Sequence, residues 1–244
     1  MRMTKLIDKA KSAIAKHPTH AISTSWGKDS VALLHLCASV FDRIVVVNAR
    51  YPNAAERFAD MDRVRDLVLS RPDMTKVNYV EVSTPGEWEM YERAGGGFSE
   101  AITAAQKSAV RWWKENFETN MRKAIEKFNC AGVFLGLRAD ESHARRMNVI
   151  MRGQEYTKQN GTEVCLPIAK WSGLNIWSYL VAKELPWLRI YDEASCERER
   201  ARSGFVFATG GAGAIRRHGV WEDWSRVYPN EFRAWLNKFP ELDR

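Results

Sequence analysis

Ser25, Gly27, Lys28 and Ser30, all within the run Ser25-Trp26-Gly27-Lys28-Asp29-Ser30, place two hydroxyls, a permissive backbone position and a mobile cation side by side. That combination suits a polyphosphate. Gly27 lets the main chain approach an anion, Lys28 brings positive charge, and the hydroxyls of Ser25 and Ser30 can donate to phosphate oxygens. Asp29 would repel phosphate unless a cation intervenes, so it either caps the following helix or helps hold Mg²⁺. A Walker-type loop would need glycine at position 22 and Ser or Thr at position 29, where this chain has Ile22 and Asp29.

Such a run works only if flanking elements aim its backbone N–H groups at one point. The preceding His20-Ala21-Ile22-Ser23-Thr24 reads as a strand, and Val31 to Cys37 reads as a mostly buried helix whose amino end faces the loop. Further along, Arg43 to Asn48 is a short apolar run of buried-strand type. A helix is expected between Pro52 and Pro72, followed by a third strand over Val77 to Val82. Gly95-Gly96-Gly97 marks a loop that could be a lid or a plain linker, before a long helical pattern from Ile102 to Phe128 and a fourth strand over Gly132 to Leu137. The β-α-β-α-β order predicts an α/β fold: a doubly wound, mostly parallel sheet of five strands with a helical C-terminal extension. The expected boundaries are an N-terminal amphipathic helix over residues 1–19, a nucleotide-binding domain over 20–192 and an extension over 193–244 belonging to the same globular unit.

The fourth strand leads into a second constellation, Gly136-Leu137-Arg138-Ala139-Asp140-Glu141-Ser142-His143-Ala144-Arg145. Open α/β sheets bind ligands at the carboxyl ends of their strands. Arg138 and Arg145 could grip phosphate or sulfate oxygens in bidentate fashion, and Asp140 or Glu141 could share Mg²⁺ with Asp29. A charged helix start with ordinary ion pairs is the alternative.

The loop resembles the Ser-Gly-Gly-Lys-Asp-Ser signature of the PP-loop ATP pyrophosphatases, with Trp26 where the middle glycine stands. Within that superfamily the chain is similar to the branch holding phosphoadenosine-phosphosulfate reductase and the small subunit of sulfate adenylyltransferase. The 136–145 segment partially matches the second signature of both. A third match runs through Leu166-Pro167-Ile168-Ala169-Lys170-Trp171, Ile176-Trp177-Ser178-Tyr179-Leu180 and Leu188-Arg189-Ile190-Tyr191-Asp192. The resemblance implies ATP binding with the β and γ phosphates in the loop, leaving the α-phosphorus open to attack, so that AMP is transferred and pyrophosphate released. The cofactor-binding set it implies is Ser23, Thr24, Ser25, Trp26, Gly27, Asp29 and Ser30, with Asn48, Ala49, Arg50 and Gly136. Lys28, Arg138 and Arg145 would be catalytic. Asn48-Ala49-Arg50 replaces the family's usual Asp-Thr-Gly turn, removing one negative charge and adding a positive one.

Relatives with a metal or cluster carry two cysteines at positions where this chain has Phe205 and Ala208, and no cysteine lies between Trp221 and Arg244, where a thiol-dependent reductase holds its nucleophile. The resemblance therefore implies no iron–sulfur cluster and disfavours sulfonucleotide reduction. The four cysteines form no Cys-x-x-Cys pair and the five histidines show no metal-ligand spacing, so no zinc is expected. Cys37, Cys130 and Cys165 read as core residues, and Cys196 as the candidate exposed thiol. The tryptophans mostly read as packing anchors.

A net charge of +7 over 244 residues suits anionic ligands, and the arginines Arg198, Arg200, Arg202, Arg216 and Arg217 beside a glycine-rich loop could meet phosphate or a nucleic-acid backbone, or simply be solvated. No apolar run has the length of a membrane span, and a cytoplasmic location is expected. The expected function is an ATP- and Mg²⁺-using adenylyltransferase whose acceptor is a sulfate-like anion or a nucleic acid, as a homo-oligomer or with a partner subunit. A non-catalytic nucleotide-sensing or nucleic-acid-associated protein is the alternative, and a sulfonucleotide reductase the third.

Overall fold

The five residues His20–Thr24 are apolar enough to be covered on both faces, and in the computed structural model of this chain they form an interior strand, β1. The structure describes residues 3–74, 76–95, 104–195 and 220–243. The remaining strands are β2 (Ile44–Arg50), β3 (Val77–Ser83), β4 (Gly132–Leu135), β5 (Glu155–Thr157) and β6 (Glu163–Cys165). The helices are α1 (Met3–Ala15), α2 (Lys28–Ala38), α3 (Ala55–Leu69), α4 (Glu87–Arg93), α5 (Ala104–Lys127), α6 (His143–Arg152), α7 (Gly173–Ala182), α8 (Ile190–Glu193), α9 (Val220–Val227) and α10 (Pro229–Lys238). No helix among the described residues is long and apolar enough to cross a membrane. The chain divides into two compact units, the first made of Met1–Ala49, Arg63–Val82 and Met121–Trp187, the second of Arg50–Asp62, Ser83–Asn120 and Leu188–Arg244.

The sheet is ordered β3-β2-β1-β4-β6-β5. β1 runs parallel to both β2 and β4, with Ile22 level with Val46 on one side and Phe134 on the other, and β4 runs parallel to β6. The sheet has six strands, not the expected five. β5 and β6 have three residues each and form an antiparallel pair at the edge. Segments that short, one of them the polar Glu-Tyr-Thr, carry no readable alternation. From β1 the order proceeds outward to β2 and β3 in one direction and to β4 and β6 in the other. The gap between the carboxyl ends of β1 and β4 is therefore the topological switch point of this sheet.

In the first unit, α1 buries Leu6, Ala10 and Ile14 as its periodicity predicts, and α2 is buried along nearly its whole length. A polar thread fixes α2 to α7: His35 Nδ1 and the Tyr179 hydroxyl are 2.7 Å apart, and Trp171 packs edge-on against the Tyr179 ring. Cys37 and Cys165 are buried core thiols, as expected, while Cys130 is half-buried. Trp171 and Trp177 are core residues.

The second unit is organised around a buried cation. Arg57 donates from Nε to Glu231 Oε1 at 2.6 Å and pairs with Glu87, while its guanidinium lies 4.4 Å from the centre of the Trp224 ring. Trp235 and Tyr228 complete this core. Burial raises the Glu231 carboxyl from the ordinary 4.5 to about 7, against the pull of Arg57 and with the help of Glu87. The folded chain therefore holds a proton that the unfolded chain has released, and the stability linked to this group falls as pH rises from about 4.5 through about 7. Glu231→Gln, which cannot ionise, is expected to flatten the pH dependence of urea-unfolding free energy across that window, and an unchanged slope would refute the assignment.

Candidate nucleotide site

Two loops meet at the switch point, one following β1 and one following β4. Gly27 is the N-cap of α2 in extended conformation (φ −72°, ψ 163°) and has no side chain to cap the helix. The first N–H groups of α2 thus meet no capping oxygen from this residue, the arrangement that makes a helix start an anion site. The Ser30 hydroxyl donates to the Gly27 carbonyl at 2.9 Å, closing the turn from inside, whereas Ser25 is exposed.

Lys28 is buried, and its Nζ lies 3.1 Å from Asp29 Oδ2. The other oxygen of Asp29 accepts from Nε of Arg138, whose Nη1 also pairs with Asp140. Arg138 is only 1% exposed. Burial works against its charge, yet Asp29, Glu141 and Asp140 outweigh that and hold it above the ordinary arginine value. Asp140 in turn accepts from the Gly173 N–H at 2.9 Å, at the start of α7. Glu141 accepts from the Arg138 N–H at 3.1 Å and pairs with Arg145, and Ser142 caps α6 by accepting from the Arg145 N–H.

The residues expected to act together are thus brought together, but as ion pairs with one another. Lys28, Arg138 and Arg145 face Asp29, Asp140 and Glu141. Each carboxylate that could share a divalent cation already accepts from a cationic side chain. Asp29 does not cap α2 through its side chain; it joins the loop to Arg138. Gly136 comes close against the start of α2, since a Cβ there would lie 3.1 Å from the Asp29 carbonyl carbon and from the Ser30 nitrogen.

Trp26 takes the left-handed conformation (φ 55°) and is fully buried, its ring 5.7 Å from that of Tyr79. Its main-chain N–H donates to Thr24 Oγ1 at 3.0 Å. Asn48 is buried at the end of β2, donating from Nδ2 to the Thr24 carbonyl at 2.8 Å and lying 3.2 Å from the Tyr79 hydroxyl through Oδ1. An aspartate could not make the first of those bonds. Ser23 lies in β1 level with Val47 and Leu135. Ala49 follows Asn48 in β2, whereas Arg50 belongs to the second unit, pairing with Asp62 over the Phe58 ring. Tyr79 was not anticipated; its only trace in the sequence is its alternating position in β3. Cys196, Phe205, Ala208, the arginines from Arg198 to Arg217 and the centre of the Gly95-Gly96-Gly97 run lie outside the described residues.

A parallel-dominated α/β sheet carrying a phosphate-type loop at its switch point defines a nucleotide-binding protein of the PP-loop class. The family model of the phosphoadenosine phosphosulfate reductase domain matches residues 19–224, and the chain belongs to that family. It is 33% identical to a phosphoadenosine 5'-phosphosulfate reductase of Xanthomonas oryzae pv. oryzae over 182 residues, 71% of this chain and 66% of that one. It is 26% identical to the Vibrio cholerae enzyme of the same name over 175 residues, 71% of this chain and 63% of the other. It is also 23% identical to sulfate adenylyltransferase subunit 2 of Rhizobium tropici, over 68% of this chain and 55% of that subunit. The chain thus spans under two thirds of the length of several curated relatives. Among solved structures, a U34-tRNA thiolase from Methanococcus maripaludis with a 4Fe–4S cluster superposes with TM-score 0.55 at 10% identity, covering 98% of this chain and 80% of that one. The NMN synthetase of Francisella tularensis superposes with TM-score 0.51 at 9% identity, covering 98% and 94%. Both likenesses concern the fold.

Trp26→Gly would relieve a left-handed backbone costing about 1–2 kcal/mol but would remove a wholly buried indole worth roughly 3–5 kcal/mol. The expected result is a net loss of about 2–3 kcal/mol in denaturant unfolding. A gain in stability would show that the ring is not a packing element.

Proposed function

We propose that this chain binds an adenine nucleotide with its terminal phosphates at the amino end of α2 and transfers AMP to an acceptor. The observation that carries this reading is Lys28, a buried lysine at the first position of α2. Its partner Asp29 is also held by Arg138. A polyphosphate arriving at the helix start can draw Lys28 from Asp29 without stranding the carboxylate, because Arg138 remains on its other oxygen.

In the reaction, an acceptor oxygen attacks the α-phosphorus, the bond to the bridging oxygen breaks, and pyrophosphate leaves with the electron pair. Lys28 and the N–H groups at the start of α2 lie where that charge accumulates, and the hydroxyl of the exposed Ser25 can orient the terminal phosphates. Arg138 and Asp29 act by positioning the loop. Arg145, half-buried on α6, is the cation of this set nearer to solvent and the candidate contact for the acceptor. Asp29, Asp140 and Glu141 do not fit a dedicated Mg²⁺ site as arranged, since all are engaged by cations of the chain. The rate enhancement therefore rests on positioning and charge.

Sulfonucleotide reduction is the second reading, favoured by the names of the Xanthomonas and Vibrio relatives. Burial raises the Cys37 thiol well above its ordinary range and Cys165 to about 12, which suits neither to act as a free thiolate nucleophile. Cys196 is the cysteine on which this reading would rest.

The deciding experiment incubates the chain with α-labelled ATP, Mg²⁺ and sulfate, tRNA or DNA, and follows AMP and pyrophosphate. Lys28→Ala is expected to lower product formation by at least ~100-fold, the scale of one lost charge-stabilising group. Undiminished turnover in that variant would overturn the proposal, as would tight ATP binding by the wild type with no AMP formed. Sulfite release from a sulfonucleotide with a dithiol reductant, abolished by Cys196→Ser, would establish the second reading instead.

A further inference from the structure

The opposite rim of the sheet carries a cluster that the nucleotide chemistry does not use. His20, Gly132 and Glu163 are the first residues of β1, β4 and β6, and the register sets them in one row across three parallel strands. Cross-strand partners share a face, and so do residues two apart along a strand. Cys165, two residues after Glu163, and Glu155, its partner on β5, therefore fall on the same face. The turn between α1 and β1 adds His17, whose ring lies 4.4 Å from that of His20. Histidines without metal-ligand spacing in the sequence thus converge in space.

Donor atoms of His17, Glu155 and Cys165 all lie within 4.8 Å of one another, and so do those of His17, His20 and Glu163. His17 Nε2 is 3.5 Å from Glu155 and His20 Nε2 is 3.7 Å from Glu163, too far for hydrogen bonds. The His20 side chain is 1% exposed, yet neither of its ring nitrogens has a hydrogen-bond partner, and His17 Nε2 has none either. Buried polar nitrogens are almost always satisfied, so three in one cluster point to a missing partner. Room for the imidazole is built in at Gly132, where a Cβ would lie 2.7 Å from His20 Nε2.

We propose that these two triads, joined through His17, form a site for one divalent cation of the zinc class. Two imidazoles, a thiol and carboxylates are the donor set that borderline cations prefer over the all-oxygen set of Mg²⁺ or Ca²⁺. Tetrahedral zinc needs donors about 3.3–3.8 Å apart, so each triad must contract by roughly an ångström, and donors of different triads, which do not all share the 4.8 Å limit, must draw in further. Glu155 and Glu163 are partly exposed; Glu163 can make that movement, and Glu155 can make it by giving up its surface pair with Lys16 at 3.3 Å. Occupancy would tie the α1–β1 turn to β5 and β6, the short edge strands. At about 3.3 Å per residue, β1 keeps this site roughly 15 Å from the phosphate loop, a separation that suits a structural role. The proposal departs from the expectation of no zinc, which rested on local spacing alone.

The test uses the full chain stripped with a chelator. Zn²⁺ titrated against a chromophoric competitor is expected to bind at one ion per chain, and His17→Gln to weaken binding by more than about 100-fold, the upper range for disturbing even the groups that support a metal ligand. Co²⁺ in place of Zn²⁺ should give a near-ultraviolet thiolate charge-transfer band that Cys165→Ser removes and that Cys130→Ser and Cys196→Ser retain. Far-ultraviolet circular dichroism checks that each variant is folded. Absence of equimolar binding, binding indifferent to His17→Gln, or a cobalt complex without the Cys165-dependent band would each overturn the site.

Discussion

The buried pair of Asp29 and Arg138 is the interaction on which the candidate site depends. It joins the loop after β1 to the loop after β4, the two segments flanking the switch point, and through Asp140 it reaches the start of α7. Loss of either partner would leave the other held only by its remaining ion pair, Lys28 for Asp29 and Asp140 for Arg138. The pair also sets how Lys28 behaves. Asp29 is shared between two cations, and on the proposed reading that sharing keeps the carboxylate neutralised when Lys28 turns to an anion. Gly136 makes the same joint sterically feasible, since a side chain there would press on the backbone of Asp29 and Ser30.

Around that joint, the two residues that depart from the resembled signatures, Trp26 and Asn48, both reach Tyr79. Trp26 occupies a left-handed position where glycine would be unstrained, and its indole is held by burial and by the Tyr79 ring. Tyr79 also lies within hydrogen-bonding distance of Asn48, whose amide nitrogen donates to the Thr24 carbonyl just before the loop. Trp26 and Asn48 thus both lean on Tyr79 behind the loop at positions 25–30, and the Tyr79 hydroxyl also donates to Glu81 at 2.9 Å. An aspartate at position 48 would place a second buried carboxylate there without the ability to donate.

The two rims of the sheet have different chemistry for a topological reason. At the carboxyl ends of parallel strands, helix starts point inward and favour anions, and α2 starts at that rim. At the amino ends no such field exists, and the side chains there can include neutral imidazoles. Burial, with His17 alongside, lowers the His20 pKa to about 4, so its ring is uncharged near neutrality. The second unit shows the same principle with opposite sign, where burial keeps Glu231 protonated until about pH 7 beside the charged Arg57.

Strand and helix order, the loop at positions 25–30 and the charged segment from 136 to 145 were legible in the sequence because each is local. Apolar runs of strand length, a helical period beginning at Val31 and a glycine beside a lysine are read over a few residues, and the family resemblance rests on the same short blocks. β5 and β6 were missed because three residues cannot show a period. What only the tertiary structure decided was pairing across the chain. Arg138 lies 109 positions from Asp29, and sequence spacing could not show that this guanidinium would be committed to the fold before any ligand arrives. His17 and Cys165 are likewise distant along the chain and become neighbours only because β4 lies between β1 and β6. Local propensity is a property of the sequence, whereas the partner of a buried charge or a buried nitrogen is set by strand order and register.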